Sequence, residues 1–172
     1  VLWNGIPMTT PDGQTQLDHI PLSSMGTIEV IRGISSGLYG NASGGVIMLK
    51  SSPIKPKKTL TATFGDFASQ HLVGSYDSKS EKNLFRVVAE HKKYHGYRHW
   101  SGYENSLISL SNTFINTHGN KLTVTYNYFN SPLALDAGGL TATEVRENRS
   151  QARQRNLDYK AGEKVKQHQL TA

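Results

Sequence analysis

The chain has 172 residues, no cysteine and a net charge of +6, and hydrophobic residues make up 36% of it. This length allows one domain with a sizeable core, and the lack of cysteine excludes disulfides and thiol chemistry. No stretch approaches the run of about 18 apolar residues that marks a membrane helix, although barrel strands escape this test because only alternate residues face lipid. The lysines are scattered rather than gathered on one face, which argues against a nucleic-acid partner.

The first part of the chain predicts a small mixed α/β unit. Residues 1–3 have the composition of a strand, and Asn4 with Gly5 is a strong tight-turn pair because both residues tolerate positive φ. Residues 11–13, Pro-Asp-Gly, predict a second turn. Ser23 and Ser24 are suited to begin a short helical turn before the next strand.

A glycine-rich stretch follows, between the β-branched runs 28–31 and 45–49. Its glycines allow positive φ or a close approach to another segment; they are Gly33, Gly37, Gly40 and Gly44. The pattern predicts a strand, a tight turn with one helical turn at 35–38, and a second strand. From periodicity alone, an ordinary strand–turn–strand of some α+β domain fits equally well.

Residues 51–58 break this pattern with two prolines and three lysines. Such a composition predicts an extended, solvated linker because proline disrupts regular hydrogen bonding. We therefore expect an amino-terminal domain over 1–52, a linker over 53–58 and a second domain over 59–172.

Beyond the linker the hydrophobic pattern has a period of two. Apolar residues alternate in five segments: Leu60, Ala62 and Phe64; Leu72, Gly74 and Tyr76; Phe85, Val87 and Ala89; Ile108, Leu110 and Phe114; and Leu122, Val124, Tyr126 and Tyr128. This repeat is typical of a membrane β-barrel, although a half-buried antiparallel sheet of a soluble protein would show it too. Few charges on the hydroxyl-rich face, and aromatic residues near strand ends, favour the barrel.

The connections between these segments alternate in length. Residues 78–82 and 115–120 are short, 94–102 is longer, and a loop over 131–166 is much longer. Outer-membrane barrels have short periplasmic turns and long extracellular loops. Leu170 and Thr171 are expected to begin a sixth strand.

The glycine-rich stretch also carries a family resemblance. Its sequence, Ile-Glu-Val-Ile-Arg-Gly followed by Ser-Ser-Gly-Leu-Tyr-Gly-Asn-Ala-Ser-Gly-Gly-Val-Ile, resembles the second half of the plug domain of TonB-dependent outer-membrane receptors. Residues 1–7 and 17–20 are similar to that plug as well. The resemblance implies a mixed α/β plug fragment over 1–52, followed by antiparallel transmembrane strands of a barrel that in complete relatives has about 22 strands. Five or six strands cannot close such a barrel, so we expect this stretch by itself to misassemble.

The same resemblance implies the function. Residues 127–132 and 155–159 are similar to iron-complex receptors of this family, so the expected activity is uptake of a ferric siderophore or similar iron complex across the outer membrane. The implied partners are outer-membrane lipid, the iron–siderophore ligand and the TonB energy-coupling complex, whose TonB box would lie upstream of Val1 together with the missing signal peptide. No cofactor or resident metal is expected. Cobalamin, a saccharide or another metal chelate are alternative ligands, and a soluble antiparallel β-sheet binding module is the alternative from another class.

The candidate site residues form three sets. In the family, plug charges contact the barrel wall, which implies a plug–barrel lock by Glu29 and Arg32; a local, solvated pair is the alternative. The plug turn is assigned to Gly33, Tyr39, Gly40, Gly44 and Gly45, which lack the Gly-Lys-Ser/Thr ending of a phosphate-binding loop. Contact with an anionic, aromatic ferric chelate at the extracellular mouth is assigned to Tyr94, Tyr97, Arg98 and Trp100, with an aromatic belt as the alternative.

Catalysis finds no support in the sequence. No nucleophile elbow, zinc signature or paired acidic motif is present, so we do not expect an enzyme. His95 and His99 lack the cysteine or nearby carboxylate that would complete a metal site.

Overall fold

A computed structural model describes residues 1–8, 13, 15, 17–33, 36–39 and 44–172. The predicted turn at 11–13 lies largely outside these residues, as do part of the predicted helical turn at 35–38 and the site residue Gly40.

The amino-terminal unit is a four-stranded sheet with short helical turns. Its strands are β1 (Leu2–Trp3), β2 (Ile6–Pro7), β3 (Met25–Arg32) and β4 (Gly45–Ser51), in the order β2-β1-β4-β3. β1 pairs parallel to β4, and the other pairs are antiparallel. Two 3₁₀ turns, Leu17–His19 and Leu22–Ser24, precede β3, and the one-turn helix α1 (Ser36–Tyr39) lies between β3 and β4.

The tight turn between β1 and β2 confirms the Asn4–Gly5 prediction. Both residues have positive φ, 49° and 86°. The turn places Trp3 beside Leu49 of β4 and Ile20, and these three buried side chains form the core of the unit.

The second part of the chain is a six-stranded antiparallel sheet, here called the large sheet. Its strands are paired in sequence order: β5 (Lys57–Gly65), β6 (Ser69–Lys79), β7 (Asn83–Tyr94), β8 (Tyr103–Ile115), β9 (Lys121–Leu135) and β10 (Gly162–Thr171). β5 and β10 are the two edges, and among the described residues the sheet does not close on itself. An open sheet is what an incomplete barrel requires, but that these strands belong to a barrel stays a prediction.

Two boundaries differ from the sequence predictions. β5 begins at Lys57, inside the predicted linker, and the predicted loop over 131–166 is too long because β9 continues to Leu135 and β10 begins at Gly162. The remaining loop, 136–161, contains the short helices α2 (Ala142–Glu147) and α3 (Gln154–Asp158). Pro132 lies at a β-bulge, where the register shifts against β8 and β10. A bulge tolerates a residue without an N–H, so the strand continues past the proline.

The two faces of the large sheet have opposite character. Its inner face, which the amino-terminal unit covers, carries buried polar residues: Arg86, Glu90, Asn105, Ser109, Thr113, Thr125, Asn127 and Ser131. Its outer face carries exposed apolar residues, among them Leu60, Phe64, Leu72, Tyr76, Ile108, Leu110, Phe114, Leu122 and Leu170. This distribution is the reverse of a soluble sheet packed on an apolar core.

Of the helices in the described residues, none has the length and hydropathy needed to cross a membrane.

Candidate functional site

The candidate site is the contact between the amino-terminal unit and the inner face of the large sheet. Glu90 of β7 is the most buried charge there, with a side chain 5% exposed. It accepts a hydrogen bond from the Ser23 hydroxyl, and its other carboxylate oxygen lies 3.3 Å from His71 Nε2 and 3.8 Å from Lys92 Nζ. The Lys92 ammonium and the Ser23 hydroxyl offset the desolvation of this buried carboxylate, so Glu90 can anchor the 3₁₀ turn Leu22–Ser24 to the sheet.

A second buried charge on β7 is that of Arg86, four residues before Glu90 on the same inner face. Arg86 donates from Nε to Asp77 Oδ1 at 2.8 Å and pairs through Nη2 with the other oxygen of that carboxylate. Its remaining nitrogen, Nη1, donates to the Ser52 carbonyl at 2.9 Å. The forked guanidinium thus fixes the chain just after β4 to the large sheet.

Further contacts join the amino-terminal unit to β9 and β10. The end of the large sheet that carries residues 95–102 and 136–161 is called the loop end. The His19 and Phe129 rings have centroids 4.0 Å apart, and Gln169 Nε2 lies 3.6 Å from Met8 Sδ. Burial lowers the pKa of His19 below its ordinary value of 6.5, and the side chain of Gln167 and the charges of Asp18 and Glu163 oppose that shift only in part.

The sequence of the amino-terminal unit decides its family. Residues 1–46, which end at the second residue of β4, match the family described as the TonB-dependent Receptor Plug Domain. The amino-terminal unit is a TonB-dependent receptor plug. The sequence-based recognition is thereby confirmed, and the family indicates a receptor or transporter rather than an enzyme.

The residues expected to lock the plug are placed on its sheet. Glu29 of β3 lies 3.5 Å from Lys50 of β4, an exposed pair of the local kind weighed as the alternative. Arg32 is exposed at the end of β3. In the part of the chain that the structure describes, the contacts between plug and large sheet are made by other residues, and a locking role of Glu29 and Arg32 stays a prediction.

The plug-turn residues differ in what their backbone requires. Gly45 has φ of +130°, and a Cβ there would collide with the Ile31 carbonyl oxygen. Gly33 also has positive φ, +94°, but open space around it, and Gly44 has neither constraint. Tyr39 is exposed on α1. Among the three glycines compared, the glycine requirement is therefore strongest at Gly45.

The predicted ligand loop, 94–102, holds the longer loop 136–161 in place. The Arg98 guanidinium donates to three backbone carbonyls of that loop, those of Gln151 (2.9 Å), Gly138 (2.7 Å) and Ala137 (3.1 Å). Trp100 Nε1 donates to the Ala161 carbonyl at 2.8 Å. These contacts give Arg98 and Trp100 a role in positioning the loop, and contact with a ligand stays a prediction.

Tyr94 and Tyr97 belong to an aromatic group at the same end of the sheet. The ring of Phe67, in the β5–β6 turn, meets that of Tyr97 edge to face at 5.5 Å and that of Tyr94 at 6.2 Å. Phe67 and Ala68 both have positive φ, 57° and 54°, which is strained for residues other than glycine. The aromatic contacts help to hold this turn, and Tyr97 remains partly exposed.

Sequence reasoning missed Ser23, Arg86 and Glu90 as contact residues. Arg86 and Glu90 were visible only as charged members of the polar face of β7. A signal was present, because two charges four residues apart on a face of mainly Ser, Thr and Asn need partners once covered. Their partners in the plug are distant in sequence, so no local sequence pattern predicts which residues they are.

We expect acid to weaken the contact of His19 with the large sheet. Because burial depresses the pKa of the folded state, the unfolded state binds the proton more tightly, and stability falls as pH drops below about 6.5. Hydrogen exchange of the Leu17–His19 turn, compared at about pH 7.5 and about pH 5.5, measures this. His19→Phe keeps an aromatic ring against Phe129 and should abolish the pH dependence; an undiminished dependence in that variant would contradict the assignment.

We also expect Arg98→Ala to release loop 136–161. Three backbone carbonyls would lose their charged hydrogen-bond donor. Because these groups are partly exposed, we expect the local stability of the loop to fall by about 3 kcal/mol. Trypsin cleavage after Arg149 and Arg153 should accelerate at least roughly tenfold. Arg146→Ala, which alters an exposed arginine of the same loop, is the control, and equal cleavage of the two variants at these sites would count against the role of Arg98.

Proposed function

We propose that this protein is a TonB-dependent transporter of the outer membrane that takes up a ferric siderophore or a similar iron complex. The observation that carries the proposal is a receptor plug seated on the polar face of a sheet whose other face is apolar. Such a sheet has its hydroxyl-rich side toward a plugged lumen and its apolar side toward lipid.

The apolar band on the outer face supports the membrane part of this proposal. The edge of this band that faces the loop end of the sheet, here called its upper edge, lies at Phe64 on β5 and at Leu170 on β10. Both side chains are well exposed. One row of paired residues crosses the sheet from Leu170 on β10 to Lys58 on β5, by way of Tyr126, Leu110, Val87 and Tyr76. Lys58 lies six positions before Phe64 along β5. Between β5 and β10 the upper edge therefore moves away from the loop end by about 20 Å, measured along the strands. The five spacings between these six strands together span about 24 Å.

That descent corresponds to an angle of about 40°, within the strand tilt of outer-membrane barrels. The lower edge of the band also descends, from Leu60 on β5 to Leu122 on β9. A band fixed by a flat lipid layer crosses tilted strands in this way. A soluble sheet has no reason to displace its exposed apolar residues in step from strand to strand.

Lipid-quenching labels test the orientation of the sheet. Val124 lies on the outer face, and its neighbour Thr125 is 8% exposed beneath the plug. In outer-membrane vesicles, a label at Val124 should be quenched by brominated lipid and one at Thr125 should not. Quenching at Thr125, or at neither position, would overturn the membrane assignment.

The transport part of the proposal needs a separate measurement. Cells that depend on this protein should accumulate ⁵⁵Fe from a ferric siderophore, and dissipation of the inner-membrane proton gradient should stop accumulation while surface binding persists. The iron assignment rests on the resemblance of residues 127–159. If cells accumulated labelled cobalamin or a saccharide instead, the proposed ligand would change, but the receptor assignment would stand.

A further inference from the structure

A cavity of about 690 Å³ lies between the plug and the loop end of the large sheet. The plug contributes Leu17 and Asp18 of its first 3₁₀ turn, and the sheet contributes inward positions of β8, β9 and β10. Its volume falls in the range of small-molecule sites, about 300–1,000 Å³. None of the four residues assigned to ligand binding from the sequence lines it.

The charge of this cavity is opposite to that of the chain. Asp18 from the plug and Glu163 from β10 line it, and no lysine, arginine or histidine is found among its lining residues within the described part of the chain. The chain as a whole has a net charge of +6. Two carboxylates without a cation repel an anionic ligand and attract a cationic one.

A buried amide on the cavity wall also lacks a partner. Asn105 is only 9% exposed and lies at an inward position of β8. Its carboxamide forms no side-chain hydrogen bond with any residue that the structure describes, whereas the neighbouring Ser131 hydroxyl bonds the Glu104 carbonyl at 3.2 Å. Buried polar groups normally find partners, so the free carboxamide is available to a ligand.

Aromatic rings complete the wall of the cavity. Phe129 is buried beneath His19, and Tyr103 is partly exposed. Aromatic faces near carboxylates are favourable surroundings for an organic cation, because the electron-rich ring face and the carboxylate charge both attract it. Charge, amide and rings therefore favour the same kind of ligand group.

We propose that this cavity binds a cationic group of the transported ligand, an ammonium or amidinium, with Asp18 and Glu163 as counter-charges and Asn105 as a hydrogen-bond partner. The inference rests on the proposed function and narrows its substrate class. It differs from the anionic aromatic chelate that the sequence of loop 94–102 favours, because such a chelate would place like charges together in the cavity.

A matched pair of ligands tests the inference. One probe is a ferric trihydroxamate with a free ammonium group, and the other is the same complex with that amine acetylated, so the two differ by a single charge. Retention of ⁵⁵Fe by outer-membrane vesicles that carry the protein measures binding of each. The wild type should retain the ammonium form roughly tenfold more tightly, as one charge-assisted hydrogen bond provides.

Variants then assign the preference to the cavity. Asp18→Asn combined with Glu163→Gln should bring the two probes to equal retention, whereas Asn105→Ala should weaken both several-fold. Glu81→Gln combined with Glu147→Gln removes the same charge from exposed positions away from the cavity and should leave the preference unchanged. Labels at Val124 and Thr125 confirm that each variant has inserted with the correct orientation.

Equal retention of the two probes by the wild type would overturn the inference. A preference that survives in the Asp18→Asn and Glu163→Gln variant would overturn it as well. Retention of neither probe by protein with the expected label pattern also rejects it, but leaves the outer-membrane receptor in place. Failure of the label pattern itself would instead reject the proposed function.

Discussion

Gly45→Ala should disrupt the plug more than the same change at Gly33 or Gly44 of its glycine-rich turn. At φ of +130° an L-residue is strained, which costs about 1–3 kcal/mol, and the added Cβ collides with the Ile31 carbonyl oxygen of the paired strand. Because β4 begins at Gly45 and carries Leu49 into the plug core, we expect the loss to spread to the contact between Leu49 and Trp3. Urea unfolding followed by Trp3 fluorescence, in a Trp100→Phe background, measures it.

The adjacent glycine provides a matched control. Gly44→Ala adds the same methyl group where the backbone is unstrained and no atom of the described residues lies within 4 Å of the new Cβ. The stability of the plug should therefore change by less than about 0.5 kcal/mol. If the two variants unfolded alike, the close approach of Gly45 to β3 would not be the reason for glycine in this turn.

Arg86→Ala should be the most damaging substitution in the large sheet. Asp77, its partner, is 12% exposed at the side chain and would keep a charge without a counter-ion. Breaking a buried ion pair in this way costs about 3–5 kcal/mol, and the Ser52 carbonyl would lose its donor in the same step. Urea unfolding of vesicle-inserted protein should show the loss in both plug and sheet.

A double variant separates the two effects of Arg86. Arg86→Met with Asp77→Leu removes both charges and should restore most of the sheet stability, yet Ser52 would remain unanchored and the plug should still exchange amide protons faster. The partly exposed pair of Lys93 and Glu104, 3.5 Å apart, is the reference, and Lys93→Ala should cost less than about 1 kcal/mol. A loss no larger for Arg86→Ala than for Lys93→Ala would refute the anchoring role.

Alternation in the sequence predicted which side of each strand carries the apolar residues. Val124 lies outward and Thr125 inward because successive side chains of a strand point to opposite faces, and this rule holds wherever the strand is regular. Asn4 and Gly5 were equally predictable, because positive φ is a local property. Local rules therefore gave the strands, their faces and the first turn.

Prediction failed where distant partners decide the outcome. The long loop was predicted to begin at residue 131, but a bulge paired with β8 and β10 carries the strand past Pro132. The ligand contact of Arg98 stays a prediction, but the sequence did not reveal that its guanidinium donates to carbonyls 39 to 53 residues away. Ser23 had no feature to connect it with Glu90.

Under the proposed function, with the ligand meeting loop 136–161, the Arg98 contacts have a consequence for the speed of ligand capture. A loop that is ordered before the ligand arrives loses little conformational entropy on binding, since fixing each free residue costs about 1–2 kcal/mol. With Ala137, Gly138 and Gln151 already held, encounter should approach the rate of a rigid surface. Differences in affinity among ligands should then arise chiefly from how long each one stays bound.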